Sequence, residues 1–136
     1  MRAFIDTSAF YALLDRDDES HRRAKDAWTN LLKNGNTLMT NNSVLVEAFA
    51  LIQHRLGMEA VRGFQNDILP LVNVEFVDTE LHRSGVSALL SASRRNLSLV
   101  DCVSFEMMRT LEIRTVFAFD PHFKEQGFHI LPSVAP

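Results

Sequence analysis

Four acidic residues stand where their neighbours suggest more than a solvated carboxylate. Asp6 closes the apolar run Ala3-Phe4-Ile5, and Asp120 closes Val116-Phe117-Ala118-Phe119. In an open parallel sheet all strands end at one edge, and ligands bind there. Strand geometry alone would bring these two carboxylates to a functional edge. Each could instead cap the following helix, and Asp120-Pro121 has the residue types of a cap and its N1 proline. Glu47 lies within Val44-Leu45-Val46-Glu47-Ala48-Phe49-Ala50-Leu51, a helical pattern with almost no polar face, which predicts a buried helix. Burying an unpaired carboxylate costs on the order of several kcal/mol, so Glu47 should be neutralised, paired with an arginine or bound to a cation. Counted from Ser43 it falls at N4, one residue past the capping-box position. Asp101, in Ser98-Leu99-Val100-Asp101, does match a capping box, a role that would hold it rigid and leave it free for a second one. Were these four to converge, their repulsion would raise their pKa values or call for a multivalent cation. A site of oxygen donors suits Mg²⁺ or Mn²⁺ better than zinc. His21, His54, His82, His122 and His129 show no metal-ligand spacing among themselves or with Cys102, and none is needed as a ligand.

The elements that would position these residues alternate between short apolar runs and longer helical patterns, the mark of strand–helix units around a parallel sheet. Phe4-Ile5 reads as the first strand, followed by a short helix from Ser8 through Leu14. Asp18 and Glu19 offer a cap for a second helix, over Ala24, Ala27, Trp28, Leu31 and Leu32, which Gly35 stops. Thr37 to Thr40 is a strand, Asn41-Asn42-Ser43 offers caps for the helix carrying Glu47, and Gly57 breaks that helix. A further helix runs toward Leu69 before Pro70, and Val74 to Val77 is a third strand, after which Asp78 or Thr79 caps a helix. Ser98 starts a helix through Leu111, Thr115 to Phe119 is the strongest strand, and His129-Ile130-Leu131 is an edge strand. Right-handed crossovers between such strands give an α/β three-layer sandwich with a central, mostly parallel five-stranded sheet. Strand order is not legible from the pattern.

Residues 1–136 fit one domain of ordinary globular composition, 46% hydrophobic and 23% charged. The formal charge of −3 provides no general basic field, so any binding of nucleic acid needs a local basic patch or a metal. Cys102, the only cysteine, reads as a buried, inert thiol in a reducing cytoplasm. No apolar run approaches the ~20 residues needed to span a bilayer, and Asp6 comes too early for a secretory signal.

Phe4-Ile5-Asp6-Thr7-Ser8-Ala9, Glu47 on the third helix, Leu97-Ser98-Leu99-Val100-Asp101-Cys102 and Phe119-Asp120-Pro121-His122-Phe123 together resemble the PIN-domain family. In order, spacing and length they look most like the VapC-type toxins of toxin–antitoxin pairs. The resemblance spans essentially the whole chain and implies a metal-dependent endoribonuclease that hydrolyses RNA phosphodiester bonds. The family's acidic quartet carries over to Asp6, Glu47, Asp101 and Asp120, as catalytic residues and as ligands of Mg²⁺ or Mn²⁺, with Asp6 and Asp101 the principal ligands. Ser8, Arg94, Arg95 and His122 are candidates for substrate binding, Ser8 as a support of the site and the others, with Arg114 and Lys124, as phosphate contacts. The same resemblance implies an antitoxin protein laid across a helical groove, for which Phe10, Tyr11, Phe49, Phe64 and Phe105 are the candidate aromatics if they are not core. A homodimer is compatible with the sequence.

Other uses of acidic residues fit less well. A phospho-acceptor domain wants an acidic pair before its first helix, but Asp6 is flanked by Ile5 and Thr7. A haloacid-dehalogenase-like phosphatase wants a second Asp where Ser8 stands, and the run Asp15 to Glu19 has Ser20 where a calcium loop needs glycine. The remaining alternative is a catalytically inactive PIN-like module that binds RNA or protein. Four intact acidic positions weigh against it.

Overall fold

Five short strands, Arg2–Ile5 (β1), Thr37–Asn41 (β2), Asn73–Glu75 (β3), Thr115–Phe117 (β4) and His129–Leu131 (β5), form one sheet in the order β3-β2-β1-β4-β5. The coordinates are a computed structural model and describe residues 1–133. All four strand pairings are parallel, so the sheet is more regular than the mostly parallel one expected. The chain steps from β1 out to β3 and then returns to β4 on the other side of β1. With right-handed crossovers, that reversal lays helices on both faces and opens a crevice between the C-terminal ends of β1 and β4.

The helices are Thr7–Leu14 (α1), His21–Lys33 (α2), Asn42–Leu56 (α3), Met58–Gly63 (α4), Thr79–Ala92 (α5), Leu99–Thr110 (α6) and His122–Glu125 (α7). Most boundaries follow the sequence signals, with local differences. The third strand begins one residue earlier than expected and ends at Glu75, and β4 stops at Phe117, so Phe119 and Asp120 lie beyond its end. The helix expected to reach Leu69 becomes a wide turn over Phe64–Ile68 and a tight one over Leu69–Leu71, where proline removes an N–H. Asp18 does not cap α2 directly. Its carboxylate accepts from Ser20 N–H at 2.8 Å, and the helix starts at His21.

The larger correction concerns α3. Its buried positions are Val44, Ala48 and Ile52, one stripe at four-residue spacing, while Val46 is 71% exposed and Glu47 is exposed as well. An apolar pattern all round the helix did not require burial all round, because much of a folded surface is apolar in any case. The argument that Glu47 must be compensated because it is buried therefore fails. The aromatics are corrected too. Phe10, Phe64 and Phe105 are core, Tyr11 and Phe49 are partly buried against it, and Phe64 meets Phe10 and Phe49 edge to face at 5.0 and 4.9 Å. Cys102 is buried as expected, and burial pushes its thiol pKa up.

One close approach helps to fix the helix that carries Asp101. Gly85 on α5 faces α6 so tightly that a Cβ there would run into Val103. Glycine is what lets α5 lie against the first half of α6.

Candidate metal centre

Each acidic residue reaches the crevice through a local bond that fixes its direction. The Asp6 N–H continues the ladder by donating to the Phe117 carbonyl at 3.1 Å, and its side chain caps α1. Asp101 occupies the third position of α6 in a complete capping box: its N–H donates to Ser98 Oγ, and Asp101 Oδ2 accepts from Ser98 N–H, both at 3.1 Å. Asp120 turns the chain after β4, and its Oδ1 accepts the His122 N–H at 2.8 Å. For Asp6 and Asp101 the capping bonds are the ones that aim the carboxylates, whereas Asp120 is not the cap expected: Pro121 holds the N-cap of α7, and the Asp120 carboxylate closes the turn before it.

Two polar residues at the strand ends tie the helix starts together. Asn41 caps α3 by accepting from Val44 N–H at 2.8 Å, and its amide donates to Ser104 Oγ on α6 at 3.2 Å, with both residues fully buried. The Thr7 hydroxyl donates to the Val44 carbonyl at 3.4 Å. The first turns of α1 and α3 and the second turn of α6 therefore hold one another near the sheet edge.

The carboxylates sense each other. Burial pushes Asp6 up from 3.8 to about 7, its two hydrogen bonds from Ser8 oppose that rise, and the charges of Asp101 and Asp120 add to it. Asp101 is also raised, first by burial and then by Asp120, against the bonds from Ser98 and the nearby His122. Asp101, Asp120 and His122 each place one donor atom within 4.8 Å of the others. His122 Nδ1 lies 3.0 Å from Asp120 Oδ1 and 3.5 Å from Asp101 Oδ2, yet it is buried with no hydrogen bond aligned to it. Asp101 and Asp120 on either side of an orphaned buried nitrogen fit a divalent cation, which would satisfy those three groups at once; Asp6 lies outside that close group but near enough to feel the charges of both aspartates.

The remaining candidates separate. Glu47 is exposed on the second turn of α3, and neither it nor Asp6 is within that close group. Ser8 holds the site rather than a substrate: its hydroxyl donates to Asp6 Oδ2 at 2.7 Å and accepts the Phe119 N–H at 2.9 Å. That one group bridges the ends of β1 and β4. Ser8→Ala should retain the fold and lower cleavage by about 10- to 100-fold, the usual cost of removing a group that orients a ligand. Circular dichroism and a rate measurement on one preparation would check this, and an unchanged rate would make the bridge dispensable.

Arg94 is exposed and paired with Glu125 at 3.3 Å, while Arg95 is exposed in the same loop. Arg114 immediately precedes β4 and so sits at the opposite edge from the carboxylates. Lys124 lines a groove of about 310 Å³ beside Asp120, together with Arg23, whose guanidinium lies over the Phe119 ring. Sequence reasoning missed Arg23, since nothing local links α2 to the end of β4. It also missed the position of the His122 ring, for which a signal existed. An Asp whose side chain accepts the N–H two residues on folds i and i+2 together.

Comparison with known proteins shows the family and the fold. Residues 3–129 match the family described as PIN domain. The chain is 34% identical over 126 residues to the 23S rRNA-specific endonuclease VapC20 of Mycobacterium tuberculosis, covering 92% of this chain and 94% of that protein. The crystal structure of M. tuberculosis VapC20, described as a sarcin-ricin loop cleaving toxin, superposes with a TM-score of 0.83 at 32% identity, covering 93% and 95% of the two chains. VapBC2 from Rickettsia felis, bound to a DNA fragment from its promoter, shares the fold with a TM-score of 0.71 at 12% identity, covering 96% of this chain and 97% of that one.

Proposed function

This chain belongs to the PIN-domain family, and on that premise we propose that it is a metal-dependent endoribonuclease, the toxin of a toxin–antitoxin pair, with large-subunit ribosomal RNA as its substrate. The observation that carries the reading is the convergence of Asp6, Asp101 and Asp120 at the switch between β1 and β4, with Ser8 fastening the two strand ends. Asp101 and Asp120 would hold Mg²⁺ or Mn²⁺, with Asp6 beside them, and Glu47, exposed on α3, would complete the acidic set. The cation supplies charge to offset the phosphate and to acidify a water. Asp6, desolvated and raised to about 7, would have to give up its proton to serve as a ligand. Arg23 and Lys124 in the groove beside Asp120 bind RNA phosphates, with Arg94 and Arg95 on the neighbouring loop extending that surface. These local cations are what a chain of net charge −3 needs to meet a polyanion.

The rRNA target rests on the VapC20 relationship, and so does the antitoxin, a protein partner that restrains the nuclease. We place the pair in the cytoplasm. Among the described residues no helix is long and apolar enough to cross a membrane. Purified chain incubated with ribosomes and Mn²⁺, followed by primer extension along 23S rRNA, should give one stop within the sarcin-ricin loop. Intact 23S rRNA alongside cleaved transfer RNA would contradict the substrate assignment.

A further inference from the structure

The orphaned ring nitrogen beside the carboxylates has a use that an oxygen-only site does not. We propose that His122, through Nδ1, is a metal ligand alongside Asp101 and Asp120, which makes the centre a mixed nitrogen–oxygen site that prefers Mn²⁺ to Mg²⁺. The inference rests on the metal reading above and concerns which atoms hold the ion.

Three observations support it. The donor atoms of Asp101, Asp120 and His122 lie within 4.8 Å of one another, a span that one ion can bridge. Nδ1 is buried and, although 3.0 Å from Asp120 Oδ1, makes no aligned hydrogen bond. A buried polar atom without a partner is costly, and a cation would satisfy it. Moreover, the oxygens nearest the ring already have donors: Asp120 Oδ1 takes the His122 N–H and Asp101 Oδ2 takes the Ser98 N–H. Those bonds aim both carboxylates toward the ring, so a lone pair on Nδ1 would face the space between the aspartates, as a ligand's does. The Asp120-Pro121-His122 turn keeps ring and carboxylate adjacent, because the Asp120 side chain accepts the backbone N–H of His122.

The competing roles predict different geometry. As a phosphate contact, the nitrogen would need solvent access, but the His122 side chain is only 12% exposed and its Nδ1 is enclosed. As half of an ion pair, a protonated Nδ1–H would point at one carboxylate oxygen. An imidazole ligand shifts preference from hard Mg²⁺ toward Mn²⁺ and later divalent metals.

Electron spin-echo envelope modulation of the Mn²⁺-loaded chain reads this directly. Coordinated ¹⁴N couplings are expected, and they should be replaced by ¹⁵N couplings when the protein is grown with ¹⁵N-histidine, a test that needs no variant. In His122→Gln the couplings should vanish. By calorimetry, Mn²⁺ affinity should fall about tenfold or more while Mg²⁺ affinity changes much less. Bound Mn²⁺ without histidine couplings, or equal losses for both metals in His122→Gln, would overturn the ligand assignment and leave the nuclease reading standing. A wild-type chain that binds no Mn²⁺ would overturn both.

Discussion

Asp6→Asn is expected to abolish RNA cleavage, by about 10³-fold or more, and at the same time to make the metal-free protein more stable above neutral pH. The first effect follows from the proposed role of Asp6 as a charged ligand, since a bound ion would contribute several kcal/mol and each ~1.4 kcal/mol is a factor of ten in rate. The second follows from linkage. In the fold Asp6 is pushed from 3.8 up to about 7, chiefly by burial. Between those values the native state binds the proton more tightly than the unfolded chain, so metal-free stability falls as pH rises from about 4 to about 7 and is flat above. The full range amounts to at most on the order of 4 kcal/mol. Asparagine cannot ionise, yet its carbonyl can still accept both Ser8 bonds, so the variant should lose that slope and melt higher than wild type at pH 8. Melting curves at pH 5 and pH 8, with a cleavage assay on the same samples, check both parts. A variant that cuts at near wild-type rate would reduce Asp6 to a helix cap.

The parts of the molecule written in the sequence are those governed by short-range rules. Apolar runs ended by an aspartate gave β1 and the end of β4, and Ser98-to-Asp101 spacing gave a capping box that the structure completes. Asn41 was one of three adjacent cap candidates, and only tertiary bonding to Ser104 selects it. The strand order depends on crossovers between distant segments and was not legible. Glu47 shows the limit of periodicity: the residues of α3 reveal that it is helical, while which face is covered depends on what packs there. The same limit applies to Phe10, Phe64 and Phe105, whose bulk fills the core instead of a docking groove. His122 was excluded as a ligand because spacing was judged only against other histidines and Cys102. Its partners are aspartates, one on the same turn and one reached through α6.

Removing the metal should have an effect as large as removing Asp6, and it can be reversed in the same tube. The charges of Asp101 and Asp120 push Asp6 up and that of Asp120 pushes Asp101 up, while beside them Cys102 is buried with a raised pKa and His122 Nδ1 is enclosed. On the proposed reading, cleavage runs through the ion. Because Asp6 must shed a proton held with a pKa of about 7, metal affinity should strengthen as pH rises, by up to about tenfold per unit below 7, and level off above it. The decisive measurement is a cleavage time course on ribosomes at pH 6, 7 and 8, first in excess EDTA and then after Mn²⁺ is added beyond the chelator. The account predicts no product in EDTA, full recovery with Mn²⁺, and a half-saturating Mn²⁺ concentration that falls from pH 6 to pH 8. Undiminished cleavage in excess EDTA would contradict it.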